Sequence, residues 1–411
     1  MTNHVLYAPS VKLFHPTKDI FTDILLPSSK SESNRVLIIN ALCEQSCLLS
    51  NLSEARDTQT MLRLLASDDL TLDVLDAGTT MRFLTAYCTV KNRETILTGT
   101  ARMCERPIRL LVDALREVGA TIDYTHQEGF PPIHIKNFKS TKDKLAICGE
   151  VSSQYISALL MIAPMLLRGL ELELLGRVAS MPYIQMTLQL MEKFGVKHEW
   201  KHNTIYISPQ KYHAAAYAVE SDWSASSYWY SVTSLAHHAQ IKLLGLKKDS
   251  LQGDSEIVKI MEKLGVSTIF EDDGVLLKKI PAVKDFEWDF THCPDLAQTI
   301  AVIGAAKGIG MKMTGLESLK IKETDRIVAI REELAKFGIQ AIDVNDSELH
   351  ISPQELKAPN TMIKTYKDHR MAMAFAPLGL RFEVEIEKPE VVEKSYPRFW
   401  EDLQKGGFQV V

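Results

Sequence analysis

The chain is poor in cysteine and lacks a long apolar run, a basic excess and a glycine-rich nucleotide loop, and each absence removes a class of protein. Six cysteines stand among its 411 residues, at 43, 47, 88, 104, 148 and 293, in no pattern typical of a disulfide-stapled secreted domain. Cys43 and Cys47 are one helical turn apart, but no His or Cys pair nearby completes a zinc site, so buried free thiols are expected and no metal. The longest apolar stretch, Tyr155 to Leu167, lies mid-chain and falls short of the roughly 18 to 20 residues that span a bilayer. The opening residues, MTNHVLYAPSVKLFHP, lack the charged-then-apolar layout of a secretion signal, and a cytoplasmic protein without membrane contact is expected. With a net charge of −5 and no basic run, a nucleic-acid groove is not expected. What remains is ordinary globular composition, 45% hydrophobic and 24% charged, at a length that suits two domains.

What the chain does have is a recurring polar head on a buried helix. SSKSESNR (28–35) precedes VLIINAL, and DAGTTMR (76–82) precedes FLTAYCTV. VSSQ (151–154) precedes YISALLMIAPMLL, and SDWSASS (221–227) precedes YWYSVTSLA. THCPD (291–295) precedes LAQTIAVIGAA, and KDHR (367–370) precedes MAMAFAPLGL. A helix apolar all round is buried, and its first turn offers free N–H groups and partial positive charge to an anion. Cationic residues in the heads, Lys30, Arg35, Arg82 and Arg370, focus a local positive field on an otherwise acidic chain.

A second pattern alternates with the first. LLVDALREVGA, LQLMEKFGV, IVKIMEKLGV and IREELAKFGI are amphipathic helices closed by Gly119, Gly195, Gly265 and Gly338, which are 76, 70 and 73 residues apart. A degenerate copy, TMLRLLASDDLTLDVL, comes first, and FWEDLQKGGFQVV ends the chain. Glycine suits a helix end because it takes the left-handed conformation without a steric cost. Each unit thus holds a polar-headed buried helix, strands, an amphipathic helix and a strand pair. Six units are too many for one core, and two lobes of three are the economical arrangement. If the lobes face one another, the polar first turns converge on a cleft.

The heads carry the candidate chemistry. Five Ser or Asn residues with two cations exceed what one helix cap needs, which points to phosphate binding at Lys30, Ser31 and Arg35. Arg102 and Arg106 flank a helix start at Pro107, where a solvated surface pair is the plainer expectation. KIKETDR (320–326) reads equally as a bland charge run opening a helix, and Asp295 and Asp368 as ordinary caps. His292 and His369 lack ligand spacing. Asp295, Glu323 and Lys322 are candidate proton-transfer groups. The residues alone describe a two-substrate transferase or lyase acting on small phosphate- and carboxylate-bearing metabolites.

In order along the chain, SSKSESNR, DAGTTMR, ARMCERPI (101–108), VSSQYISALLM (151–161), SMPYIQMTLQLMEKFGV (180–196), KETDR (322–326), DHRMAMAF (368–375) and EKSYP (393–397) resemble the 5-enolpyruvylshikimate-3-phosphate synthases. The resemblance runs from about residue 24 to the C-terminus. It implies an α/β (α+β) fold: a two-lobed inside-out α/β barrel, each lobe three βαβαββ repeats with buried helices. The chain crosses twice, so residues 1–28 and 221–411 form the first lobe and 29–220 the second. The implied reaction transfers the enolpyruvyl group of phosphoenolpyruvate to the 5-hydroxyl of shikimate 3-phosphate and releases phosphate, on the way to chorismate. The mechanism is addition then elimination through a tetrahedral intermediate. Neither metal nor organic cofactor is implied, and family precedent gives a monomer.

By the same resemblance, shikimate 3-phosphate contacts Lys30, Ser31, Arg35, Ser152, Ser153, Gln154, Ser180, Tyr183, Asp295 and Lys322. Phosphoenolpyruvate contacts Lys30, Gly78, Arg106, Gln154, Arg326, Arg370 and Lys394. Proton transfer is shared among Lys30, Asp295 and Glu323 in an order the motifs leave open; the preferred reading has Asp295 accept the hydroxyl proton, Glu323 serve the methylene carbon, and Lys30 stabilise the bridging oxygen or act itself as an acid. Asp76, Phe83 and Ser318 depart from the commoner Asn, Pro and Asn, and the segment between Asp57 and Asp76 is shortened. Gly78 keeps room for glyphosate, so sensitivity to it is expected. Two alternatives stand beside this reading. One is the sister enolpyruvyl transferase acting on UDP-N-acetylglucosamine through Cys104; the other is a non-catalytic anion-binding relative.

Overall fold

The computed structural model describes residues 8–150 and 152–411. The start of the segment read for a targeting signal (1–7), and Val151 of the third head, lie outside the described residues. The chain forms two compact units. One is Ser28–Val219; the other joins the described part of Met1–Pro27 to Glu220–Val411. No helix among the described residues is long and apolar enough to cross a membrane.

In the unit Ser28–Val219, two four-stranded sheets share one order. Thr71–Asp73 runs parallel to Thr95–Thr98, followed antiparallel by Ile133–Phe138 and Ala120–Tyr124. Lys144–Cys148 runs parallel to Leu170–Leu175, followed by Thr204–Ile207 and Glu199–Lys201. A buried helix, Gly78–Val90 or Ser153–Ile162, bridges each parallel pair, as a parallel crossover requires. An amphipathic helix, Arg109–Glu117 or Met181–Lys193, leads into each hairpin. The third buried helix, Lys30–Leu42, belongs to a reduced version. Its sheet is only Leu48–Ser50 parallel to Ala216–Ala218, because after helix Arg56–Leu65 the chain enters Thr71–Asp73 of the next sheet without forming a hairpin. The shortened stretch therefore lacks its strand pair.

The other unit repeats the order twice. Asp19–Leu25 is parallel to His238–Leu244, then antiparallel Gly274–Lys279 and Val266–Glu271 follow. Asp285–Asp289 is parallel to Gly310–Thr314, then Glu348–Ile351 and Ala341–Val344 follow. A three-stranded sheet places Ser10–Phe14 between Val384–Glu387 and Gln409–Val410. Helices Trp223–Leu235, Ala297–Lys307 and His369–Phe375 are almost wholly buried and fill this unit's core with Trp229, Ile300, Ile303, Met371 and Phe375. Gly119, Gly195, Gly265 and Gly338 all have positive φ, the conformation that ends the amphipathic helices. Cys88 and Cys293 are buried free thiols, but Cys43, Cys47, Cys104 and Cys148 are only half-buried, because they sit on a loop, at the end of the short helix Ala101–Cys104 or at a strand end.

Candidate active site

Five of the six polar heads become helix starts outright, and the sixth begins a short 3-10 turn, Pro294–Leu296, that runs on into Ala297–Lys307. Ser29 caps Lys30–Leu42 by accepting from the Glu32 N–H, so Lys30 and Ser31 occupy its first turn. Lys30 Nζ lies 3.1 Å from Asp57 Oδ2, a carboxylate in the first turn of Arg56–Leu65. Ser152 caps Ser153–Ile162, and Gln154 Nε2 donates to Thr79 Oγ1 at 3.1 Å, tying this head to that of Gly78–Val90. Ser180, in a left-handed conformation, precedes Met181–Lys193 and sets Tyr183 in its first turn.

The arginines of this unit differ in burial and partners. Arg35 is 2% exposed. It donates to Thr187 Oγ1 (2.7 Å), Ser31 O (2.9 Å), Ser157 Oγ (3.1 Å) and Tyr183 O (3.5 Å). Its guanidinium lies 5.3 Å from the Phe83 ring and 5.8 Å from that of Tyr183. Phe83 therefore supplies a buried cation–π floor beneath Arg35. Burial pulls Arg35 down to about 10, which leaves it charged at neutral pH. Arg82 donates to Gly78 O and Pro107 O (3.3 and 3.0 Å) and so fixes the loop that carries Arg106. Arg106 lies over Gly78: a Cβ there would meet Nη1 at 2.8 Å. Arg102, by contrast, makes an exposed pair with Glu105, as the plainer expectation has it. Asp76 pairs with Arg56 at 3.1 Å.

In the unit containing Glu220–Val411, a charge network gathers the remaining residues. Arg326 opens helix Arg326–Ala335 behind an Asp325 cap, yet its side chain is fully buried. It donates from Nε to Asp368 Oδ2 (2.7 Å), from Nη1 to Asp295 Oδ1 (2.9 Å) and from Nη2 to Glu323 Oε2 (3.2 Å). Arg370 Nη2 reaches Asp295 Oδ2 at 2.9 Å, and Lys394 Nζ, itself 2% exposed, lies 3.5 Å from Glu323 Oε1. Asp368 also caps His369–Phe375 by accepting from the Arg370 N–H. The stretch 320–326 is thus no solvated charge run: Lys320 pairs at the surface with Asp346, while Arg326 turns into the core.

The network sets its own protonation. Burial alone raises Asp295, but Arg370, Lys322 and Arg326 outweigh it and hold the carboxyl well below the usual range. Burial opposes the charge on Arg326, but Asp368, Glu323 and Asp295 drive it well above its ordinary value. Asp254, beside them, is pushed up to about 7 by burial and then by the Asp295 charge, with Arg370 opposing. Its Oδ2 accepts from Ser224 Oγ. One guanidinium therefore holds three carboxylates, Asp295, Glu323 and Asp368, with Arg370 on Asp295 and Lys394 beside Glu323.

Asp57, Asp368 and Asp254 were not picked out as site residues from the sequence. Asp57 and Asp368 each sit at a helix start, where a cap is the default, and Asp254 lies in the short 3-10 turn Gly253–Glu256.

The model of the EPSP synthase (3-phosphoshikimate 1-carboxyvinyltransferase) family matches residues 14–67 and 63–403. The chain belongs to this family. It is 47% identical over 411 residues to the 3-phosphoshikimate 1-carboxyvinyltransferase of Bacteroides fragilis (strain YCH46), covering 99% of this chain and 98% of that one. The protein of the same name from Haemophilus influenzae (strain PittEE) is 35% identical over 429 aligned positions, covering 95% and 97%. A solved structure of EPSP synthase from Acinetobacter baumannii superposes with a TM-score of 0.79 over 98% of this chain and 100% of that one. At 19% identity that likeness speaks to fold: this family member is a mixed α/β protein of many small sheets and helices.

Proposed function

We propose that this chain transfers the enolpyruvyl (1-carboxyvinyl) group of phosphoenolpyruvate to the 5-hydroxyl of shikimate 3-phosphate and releases phosphate. The observation that carries the reading is the meeting of Asp295 and Glu323 on Arg326, beside Arg370 and Lys394. The reaction needs two proton transfers, one at a hydroxyl and one at a methylene carbon, between anionic partners. Here two carboxylates share the cations Arg326, Arg370 and Lys394.

In the addition step, the 5-oxygen bonds to C2 of phosphoenolpyruvate. Asp295 takes the hydroxyl proton as Glu323 delivers one to C3. In the elimination step, Glu323 removes a proton from C3 and the C2–O bond to phosphate breaks, with Lys30 stabilising charge on the bridging oxygen. Arg326, Arg370, Lys394, Arg106, Gln154 and Gly78 are assigned to phosphoenolpyruvate. Lys30, Ser31, Arg35, Ser152, Ser153, Gln154, Ser180, Tyr183, Asp295 and Lys322 are assigned to shikimate 3-phosphate. A carboxylate depressed by three cations is a weak base. Substrate anions that draw Arg370 and Arg326 to themselves relieve Asp295 and make it a stronger one.

The topology supports a finer fold assignment: two lobes, each of three βαβαββ units, with the unit containing residues 48–50 reduced. We read the protein as a cytoplasmic monomer, which sedimentation at micromolar concentration checks. Cys104 is half-buried, its thiol 3.7 Å from Gly99 O, and the curated relatives reported above bear the shikimate name, so a UDP-sugar acceptor is not favoured. The test is phosphate release with both substrates present and with each alone. Release with phosphoenolpyruvate alone, or none with the pair, rejects the reading. Asp295→Asn is expected to lower kcat by about 100-fold or more with KM values little changed; a variant that keeps most of kcat removes Asp295 as the base.

A further inference from the structure

Helix Lys30–Leu42 ends where Cys43 turns extended (φ −68°, ψ 149°) while its N–H still bonds Ile39 O and Asn40 O. The Asn40 side chain then reaches past the helix end, and its Oδ1 accepts from the Cys47 N–H at 2.7 Å. That bond folds the intervening loop back on the helix and brings Cys47 Sγ to 3.5 Å from Cys43 Sγ. Both thiols are half-buried, whereas residues 44 to 46 between them are exposed. The loop is tethered from outside by Glu44, paired with Lys211 at 2.6 Å.

We propose that Cys43 and Cys47 form a modification site, a dithiol that exchanges with a low-molecular-weight disulfide and closes to an intrachain bond. A disulfide needs sulfurs about 2.05 Å apart. The required approach of about 1.5 Å from the observed 3.5 Å falls within side-chain rotation and the give of a short exposed loop. Metal capture is a poorer use of the pair, since among the described residues no third His, Cys, Asp or Glu joins them in a ligand cluster.

The order of events follows from the environment. Cys47 follows the exposed residues 44 to 46, whereas Cys43 sits at the helix end with its thiol pushed up to about 12 by burial, so the first attack is assigned to Cys47. The Cys47 thiolate bonds to one sulfur of the small disulfide and expels the other as thiolate, which takes up a proton. Cys43 loses its proton, attacks the Cys47 sulfur of the mixed disulfide and releases the second small thiol. Two protein thiols are oxidised and one disulfide is reduced to two thiols. The closed loop lies on the connection between the helix bearing Lys30 and Ser53, whose N–H bonds Ser33 Oγ at 2.9 Å just ahead of the helix bearing Asp57. The inference does not depend on the transferase reading.

The test uses the reduced full-length chain, oxidised glutathione as the disulfide, a quench with N-ethylmaleimide, and peptide mapping. Trypsin cuts after Arg35 and Arg56, so both cysteines fall on the single peptide 36–56, VLIINALCEQSCLLSNLSEAR. Expected is that peptide short of two hydrogens, with neither maleimide nor glutathione attached, returning to the dithiol on reduction. Cys43→Ser is expected to stop at a stable mixed disulfide on Cys47. Overturning results are wild-type peptide with maleimide on both cysteines, wild-type peptide that stops at the mixed disulfide, or Cys43→Ser that takes up no glutathione.

Discussion

Adding one methyl group at residue 78 is a direct probe of the assignment of Arg106 to phosphoenolpyruvate. A Cβ at Gly78 meets Arg106 Nη1 at 2.8 Å, Nη2 at 3.1 Å and Cζ at 3.2 Å. Ordinary contact begins near 3.4 Å, so the guanidinium must retreat by at least about 0.6 Å. A charge-assisted hydrogen bond of about 2.8 Å then stretches beyond useful length, and losing one is worth about 1.5–3 kcal/mol. At about 1.4 kcal/mol per decade, Gly78→Ala is expected to raise KM for phosphoenolpyruvate by about 10- to 150-fold. KM for shikimate 3-phosphate should change little. Unfolding is no escape from this result: Gly78 opens helix Gly78–Val90, where alanine is the better helix former by up to about 1 kcal/mol. The assay is initial-rate phosphate release with each substrate varied in turn, repeated in an Arg106→Ala background. If the methyl acts through Arg106, it adds less than about twofold there. A single variant with unchanged KM for phosphoenolpyruvate, or a full additive loss on top of Arg106→Ala, refutes the reasoning.

Asp57→Asn removes the carboxylate charge facing Lys30, whose side chain is 16% exposed against 4% for Asp57. It should lower kcat more than it lowers stability, because Lys30 can rehydrate; a loss of about 1–2 kcal/mol by urea unfolding is expected. Arg326→Met leaves Asp295, Glu323 and Asp368 crowded around a neutral side chain, and should cost about 3–5 kcal/mol by the same measurement. Asp254 has a folded-state value near 7 against about 3.9 unfolded, so its effect on stability is fully favourable below about pH 4 and is lost as pH rises through about 7. Asp254→Asn should therefore unfold at higher urea than the wild type at pH 8, with the difference shrinking towards pH 4. No pH dependence of that difference counts against the buried-carboxylate account.

Much of the backbone could be read from local pattern. All-apolar runs of helical length became buried helices, and the polar clusters ahead of them supplied caps such as Ser29, Ser152, Asp222 and Asp368. The repeat glycines took the left-handed turns their spacing foretold. These outcomes depend on neighbours within a few residues, which is what periodicity and capping report. The missing hairpin after Arg56–Leu65 was visible as a short segment, but whether a strand or only a turn was absent depended on which sheet Thr71–Asp73 joined.

The sequence by itself determined the order of elements, the family and the set of residue types available for anion binding and proton transfer. Only the tertiary structure decided which cation does what. Arg35 and Arg82 point into the protein, Arg106 lies over Gly78, Arg102 stays at the surface, and Arg326 leaves a run of seemingly solvated charges to hold three carboxylates. Partners such as Arg35 and Thr187 are 152 residues apart, and Arg370 and Asp295 are 75 apart. A long flexible cation carries no local sign of its destination; burial and the nearest opposite charge settle it, and both are properties of the assembled core.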